Sequence, residues 1–167
     1  MLRSQSKLTE DGCSLIGWKE WLALPDLGIP ALKAKIDTGA RTSALHTFCI
    51  EEFTVKEQLM VRFGIHPLRK QNNIELFCEA PVFDRRLVKD SGGHSEMRYV
   101  IETTVILGSV QWPIQISLTN REGMMFRMLL GRTALKQRFL VDPGQAYLTG
   151  RALAKSYSLS KSRSQRL

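Results

Sequence analysis

Cysteine is scarce in this sequence: Cys13, Cys49 and Cys78 are odd in number and far apart, which argues against a disulfide framework and fits free thiols in a reducing compartment. Histidine is equally sparse. His46 and Cys49 have the spacing of half a metal site, but no second close Cys/His pair completes it, and His66 and His94 stand alone. No metal is expected. No apolar run approaches the ~20 residues of a membrane helix, and the polar residues 1–14 hold no apolar core of a signal sequence. The expectation is a cytoplasmic protein with no membrane association. Gly92-Gly93 lacks both a Lys-Ser/Thr ending and a following helical pattern, so neither a phosphate-binding loop nor a cofactor, ATP included, is expected.

What the chain does have is 43% apolar residues in 167, enough for one core and too few for two. Its net charge is +8, but five of those charges, Arg151, Lys155, Lys161, Arg163 and Arg166, lie in a Ser-rich end without a single acid. A solvated tail is the ordinary reading of such a segment, so nucleic acid is not an expected partner. The division expected is a flexible segment 1–14, one domain over 15–149, and a basic disordered tail over 150–167.

Strand patterns dominate. Leu15–Leu24 reads as a first strand, turned back at Pro25-Asp26-Leu27-Gly28 into Ala31–Asp37, where Leu32, Ala34 and Ile36 alternate with Lys33 and Lys35. Ser43–Phe53, Leu59–Ile65 and Ile74–Val82 follow as strands. Residues 83–106 form two arms around Asp90-Ser91-Gly92-Gly93-His94-Ser95, the chemistry of a hairpin tip. No window shows sustained helical spacing except a short one after Gly131. The fold class is all-β.

The most informative stretch runs from Lys35 to His46, where a strand delivers Asp37 into the small-residue turn Thr38-Gly39-Ala40. Taken alone, Asp-Thr-Gly is also an ordinary turn composition. A second segment, Met128-Leu129-Leu130-Gly131-Arg132-Thr133-Ala134-Leu135, is an apolar strand that stops at Gly and enters the short helix. Together the two segments resemble the retropepsin-like aspartic peptidases. The resemblance is closest to the RimB-like bacterial branch, labelled "ATP-dependent zinc protease" and associated with ATP-grasp glutamate ligases. It is carried further by Phe83-Asp84-Arg85-Arg86, Ser91-Gly92, Arg98–Ile101, Leu118–Arg121 and Val141-Asp142-Pro143, and spans most of residues 16–148.

The resemblance implies an acid-protease barrel with one short helix after Gly131, and an aspartic endopeptidase acting as a homodimer. One carboxylate cannot do this chemistry; two must share a proton, and a two-fold axis supplies the second copy. The catalytic residues implied are Asp37, Thr38 and Gly39, with Thr38 locking two loops across the axis and with Gly131 and Arg132 as structural support. Phe139–Asp142 and Ala146–Leu148 are the terminal strands expected to hold the dimer. Residues 84–98 occupy the place of a flap. Where the viral enzymes carry an acid after Asp-Thr-Gly-Ala, this chain has Arg41, which favours substrate carboxylates. Ala40, Arg41, Arg85, Arg86, Lys89, Ser91, Gly92, Gly93 and Arg98 are therefore the candidate substrate-binding residues. An acidic or polyglutamate-type peptide is the expected substrate, and a glutamate ligase the expected partner. The same residues also fit a plain surface hairpin with local ion pairs to Asp84, Asp90 and Glu96, or a cleft that binds glutamate-rich tails without cleaving them.

Overall fold

The computed structural model describes residues 12–157 except 70, 72, 90, 91 and 122. Among the described residues, twelve strands and one short α-helix make an all-β domain. Six strands close a barrel: β10 (Val110–Asn120), β4 (Ser43–Thr47), β11 (Met128–Gly131), β3 (Ile29–Asp37), β2 (Lys19–Leu24) and β9 (Ser95–Leu107) are neighbours in that order, and β9 pairs with β10 again. The strand β8 (Asp84–Lys89) extends the sheet on β9. Outside the barrel, β5 (Cys49–Val55), β6 (Gln58–Ile65) and β7 (Leu76–Pro81) form an antiparallel sheet.

Side-chain alternation explains this arrangement. Leu32, Ala34 and Ile36 of β3 point into the core, Lys35 points out, and Lys33 is half-buried. Leu22, Leu45, Ile101, Ile116, Leu118 and Leu130 meet them from the other barrel strands with almost no surface left. Val61, Phe63, Ile65 and Cys78 carry the outer sheet onto the same core. The turn between β2 and β3 is a single 3-10 turn over Pro25–Leu27, closed by Gly28 at φ +70°, a conformation that favours glycine.

Three local expectations need correction. Leu15–Leu24 is two strands, not one: it breaks at Trp18, so that β1 (Ser14–Gly17) joins β12 (Phe139–Asp142) in a parallel pair while β2 joins β3. The break is fixed by Glu20, whose buried carboxylate accepts the Gly17 N–H at 2.7 Å, and by the Trp18 N–H, which donates to the Gln145 carbonyl at 2.8 Å. Ser43–Phe53 likewise breaks at Phe48, because β4 stays in the barrel and β5 leaves it. Ala146–Leu148 forms no strand. The N–H groups of Tyr147 and Leu148 donate to the Lys19 carbonyl and the Glu20 carboxylate instead of a ladder.

At the ends, the expected flexible segment falls mostly on residues 1–11, which lie outside the described residues, as do residues 158–167 of the expected tail. Between them, packing runs on to Tyr157. Ala152–Lys155 makes a 3-10 turn, and the buried Tyr157 hydroxyl donates to the Ala31 carbonyl.

Candidate active-site loop and its basic cleft

Asp37 is the last residue of β3 and the only acid between Asp26 and Glu51. Its Oδ1 accepts the N–H groups of Gly39 and Ala40, each at 3.1 Å, which curls the loop around the carboxylate. Asp37 is half-buried, and Thr38 and Gly39 are exposed. The loop thus faces outward from the barrel rather than into its core.

The segment at Gly131 holds this loop from below. β11 runs parallel to β3 with Gly131 beside Asp37, and antiparallel to β4 on its other side. Gly131 is required by contact. A Cβ there would lie 2.7 Å from the Thr42 carbonyl carbon and 2.9 Å from the Ser43 nitrogen, both backbone. The Gly131 N–H donates to Ser43 Oγ at 3.0 Å, and the Ser43 carbonyl accepts from Ser117 Oγ. Arg132 starts the helix α1 (Arg132–Leu135); its N–H donates to the Ala40 carbonyl at 2.7 Å and its Nη1 to the Thr38 carbonyl at 3.2 Å. Thr133 donates to the Arg41 carbonyl through both N–H and hydroxyl. Every residue from Thr38 to Arg41 is therefore tied to α1 or to Asp37, so the carboxylate sits on a preorganised loop.

The other candidates divide. Arg86 and Arg41 come together with Thr42, Trp112, Gln115, Thr133 and Arg138 around an open cavity of about 540 Å³. Arg85 turns elsewhere: it pairs with Glu52 of β5, whose carboxylate also accepts the Tyr99 hydroxyl. Arg98 is pinned to Glu96 at 2.7 Å, and Arg86 to Asp84 at 2.8 Å. Lys89 ends β8 opposite Ser95, and Gly93 takes φ +84° in the hairpin tip beside Gly92. Ser91 lies outside the described residues. His46 and Cys49 serve different elements, His46 within β4 sharing a hydrogen bond with Thr119 and Cys49 opening β5.

Reasoning from the sequence missed Ser43, Trp112, Gln115 and Arg138. Ser43 stands directly after the loop, and a hydroxyl there was a signal worth reading. Trp112 and Arg138 had none, because only closure of the barrel brings β10 beside the end of α1.

A family model described as the RimB-like, retropepsin-like aspartic endopeptidase matches residues 15–152. Among curated proteins, a "probable alpha-L-glutamate ligase" of Shewanella pealeana is 45% identical over 140 residues, 84% of this chain and 31% of that protein. One of the same name from Desulfotalea psychrophila is 41% identical over 153 residues, 89% of this chain and 33% of that one. The chain thus spans about a third of the length of these relatives. Among solved structures, a Legionella pneumophila protein of unknown function superposes with a TM-score of 0.67 at 29% identity, covering 81% of this chain and 97% of the other.

Proposed function

This chain belongs to the RimB-like family of retropepsin-like aspartic endopeptidases, and from that premise we propose that it is an aspartic endopeptidase working as a homodimer on acidic or glutamate-rich peptide segments. The observation that carries the reading is the Asp37 loop, with one carboxylate held by its own backbone N–H groups and braced by Arg132 on an outward-facing turn. Two such loops across a two-fold axis would set two Asp37 carboxylates close enough to share a proton. The ionised one takes a proton from water as it attacks the peptide carbonyl, and the protonated one donates to the carbonyl oxygen. No metal or nucleotide enters these steps. Thr38 and Gly39, both exposed, are the residues on which the two copies meet, and β12 offers an outer edge on which Leu140 is exposed. The β8–β9 hairpin serves as the flap, carrying Lys89, Gly92 and Gly93 to the substrate.

The acidic substrate rests on Arg41 and Arg86 at the cleft and on the relatives' name, which concerns glutamate ligation in those proteins. That name also favours a second reading, a non-catalytic module that binds glutamate-rich tails or a ligase partner. A cytoplasmic location fits three cysteines without a disulfide, and among the described residues no helix is long and apolar enough to cross a membrane.

The deciding experiment is cleavage of a glutamate-rich peptide across acidic to neutral pH by the wild type and Asp37→Asn. Asparagine keeps the Oδ1 acceptor for Gly39 and Ala40, so the loop stays intact while the shared proton is lost. Cleavage by the wild type alone, from a species that sediments as a dimer, is the expected result. Binding of the peptide without cleavage by either protein would favour the module.

A further inference from the structure

We propose that the cavity edged by Arg41, Arg86 and Arg138 over Trp112 is a subsite for a carboxylate side chain of a peptide, seated a few residues from the bond that Asp37 attacks. Among the described residues no acid lines this cavity. Arg41 and Arg138 form no ion pair among the described residues, and Asp84 engages Arg86 through its Nε. Arg41 and Arg138 thus leave uncompensated positive charge at one space, which an anion seated there offsets while accepting paired hydrogen bonds.

Two of the three cations are also held in place. Arg86 Nη2 donates to Gln115 Oε1 at 2.9 Å, so its fork is anchored at both Nε and Nη2. Arg138 lies with its guanidinium carbon 5.7 Å from the centroid of the Trp112 ring. The two hydrogen bonds from Thr133 to the Arg41 carbonyl fix its backbone, while its side chain is exposed. Binding therefore has to order the Arg41 side chain, and of the other two cations little that is not already held.

The place of the cavity follows from the chain. Arg41 is four residues beyond Asp37, so the two lie at most ~13 Å apart in extended backbone. An extended peptide with its reacting bond at Asp37 brings a side chain to the cavity within about three or four residues. This placement rests on the peptidase reading of the Asp37 loop; the binding of a carboxylate does not. Arg138, 101 positions further along the sequence than Asp37, becomes a specificity-determining residue.

Trp112 gives the test a local reporter, since its indole N–H is buried without a hydrogen-bond partner and its ring lies under Arg138. The chain has three tryptophans, so three indole signals appear in a nitrogen–proton spectrum; Trp112→Phe identifies the one of interest. Blocked tetraglutamate, blocked tetraglutamine and inorganic phosphate are titrated into the wild type, Asp37→Asn and Arg138→Gln. The expected result is a shift of the Trp112 signal with tetraglutamate only, in wild type and Asp37→Asn alike, and binding weakened tenfold or more in Arg138→Gln. Unmoved Trp18 and Trp21 signals in Arg138→Gln show that it is folded.

Three results would overturn the proposal. Tetraglutamate could shift Trp18 or Trp21 instead, which line a separate basic cleft with Lys19, Lys33 and Arg127. Phosphate could shift Trp112 equally at the same concentration, assigning the cavity to a free oxyanion. Arg138→Gln could bind as well as the wild type. A Trp112 shift without peptide cleavage leaves the subsite standing and removes the peptidase; cleavage indifferent to Arg138 does the reverse.

Discussion

Glu20→Gln is the sharpest test of how this fold holds its loop. The Glu20 side chain is fully buried and accepts four hydrogen bonds: Oε2 from the N–H groups of Gly17 at 2.7 Å and Leu148 at 3.0 Å, Oε1 from the Thr149 N–H at 3.0 Å and hydroxyl at 2.8 Å. Each oxygen serves two donors. Glutamine has the same shape but one oxygen, so its N–H2 must face two donors that then have no acceptor. Two hydrogen bonds to a charged group are worth roughly 1.5–3 kcal/mol each, and the cheaper burial of a neutral amide returns part of that. The net loss expected is about 2–4 kcal/mol, or roughly 10 °C in Tm for a domain of this size. The effect should reach the site. Gly17 leads into Trp18, whose N–H donates to Gln145 and whose carbonyl accepts the Ile36 N–H at 2.8 Å, one residue before Asp37. Thermal unfolding followed by circular dichroism reads the first effect, and faster exchange of the Ile36 amide the second. A Tm within 2 °C of the wild type, with Ile36 unchanged, would refute the argument that this carboxylate clamps the 17–18 and 148–149 segments together.

Two further outcomes follow from buried groups. His46 is held unprotonated, its pKa lowered from 6.5 to about 4 by burial first and then by Arg121, Arg98 and Arg127. The unfolded chain takes up this proton near pH 6.5 and the folded chain does not, so stability falls as pH drops from about 6.5 to about 4. The size is on the order of 3 kcal/mol; His46→Gln should flatten the pH dependence of Tm over that interval, and an equally steep curve would refute it. Gly131→Ala forces a Cβ against the backbone of Thr42 and Ser43, which should cost about 1–3 kcal/mol and reduce any peptide cleavage; an unchanged Tm would show that the segment shifts freely.

The parts of this molecule legible in the sequence are those that short-range chemistry decides. The alternation of Leu32, Ala34 and Ile36 marks β3 because each side chain's face is set by its own backbone, and Asp37 with Gly39 marks the turn because the hydrogen bonds span only two or three residues. Glu20 escaped notice for the opposite reason. A lone Glu between Lys19 and Trp21 reads as surface, and its partners at 148 and 149 become visible only when the C-terminal segment folds back beneath β2. The same holds for Arg138 and Trp112. Such long-range polar contacts determine which loops stay rigid, so the residues most able to tune the Asp37 loop are those least apparent from local pattern. The pH behaviour of His46 gives this a practical edge. An aspartic dyad works best where one carboxylate is protonated, yet on descending into that range the folded chain loses stability through His46. On the proposed peptidase reading, cleavage at acid pH would then report both terms together. If the chain cleaves peptides as proposed, His46→Gln compared with the wild type at each pH separates loss of fold from loss of chemistry: a cleavage optimum that moves to lower pH in the variant would show that stability limits the acid side.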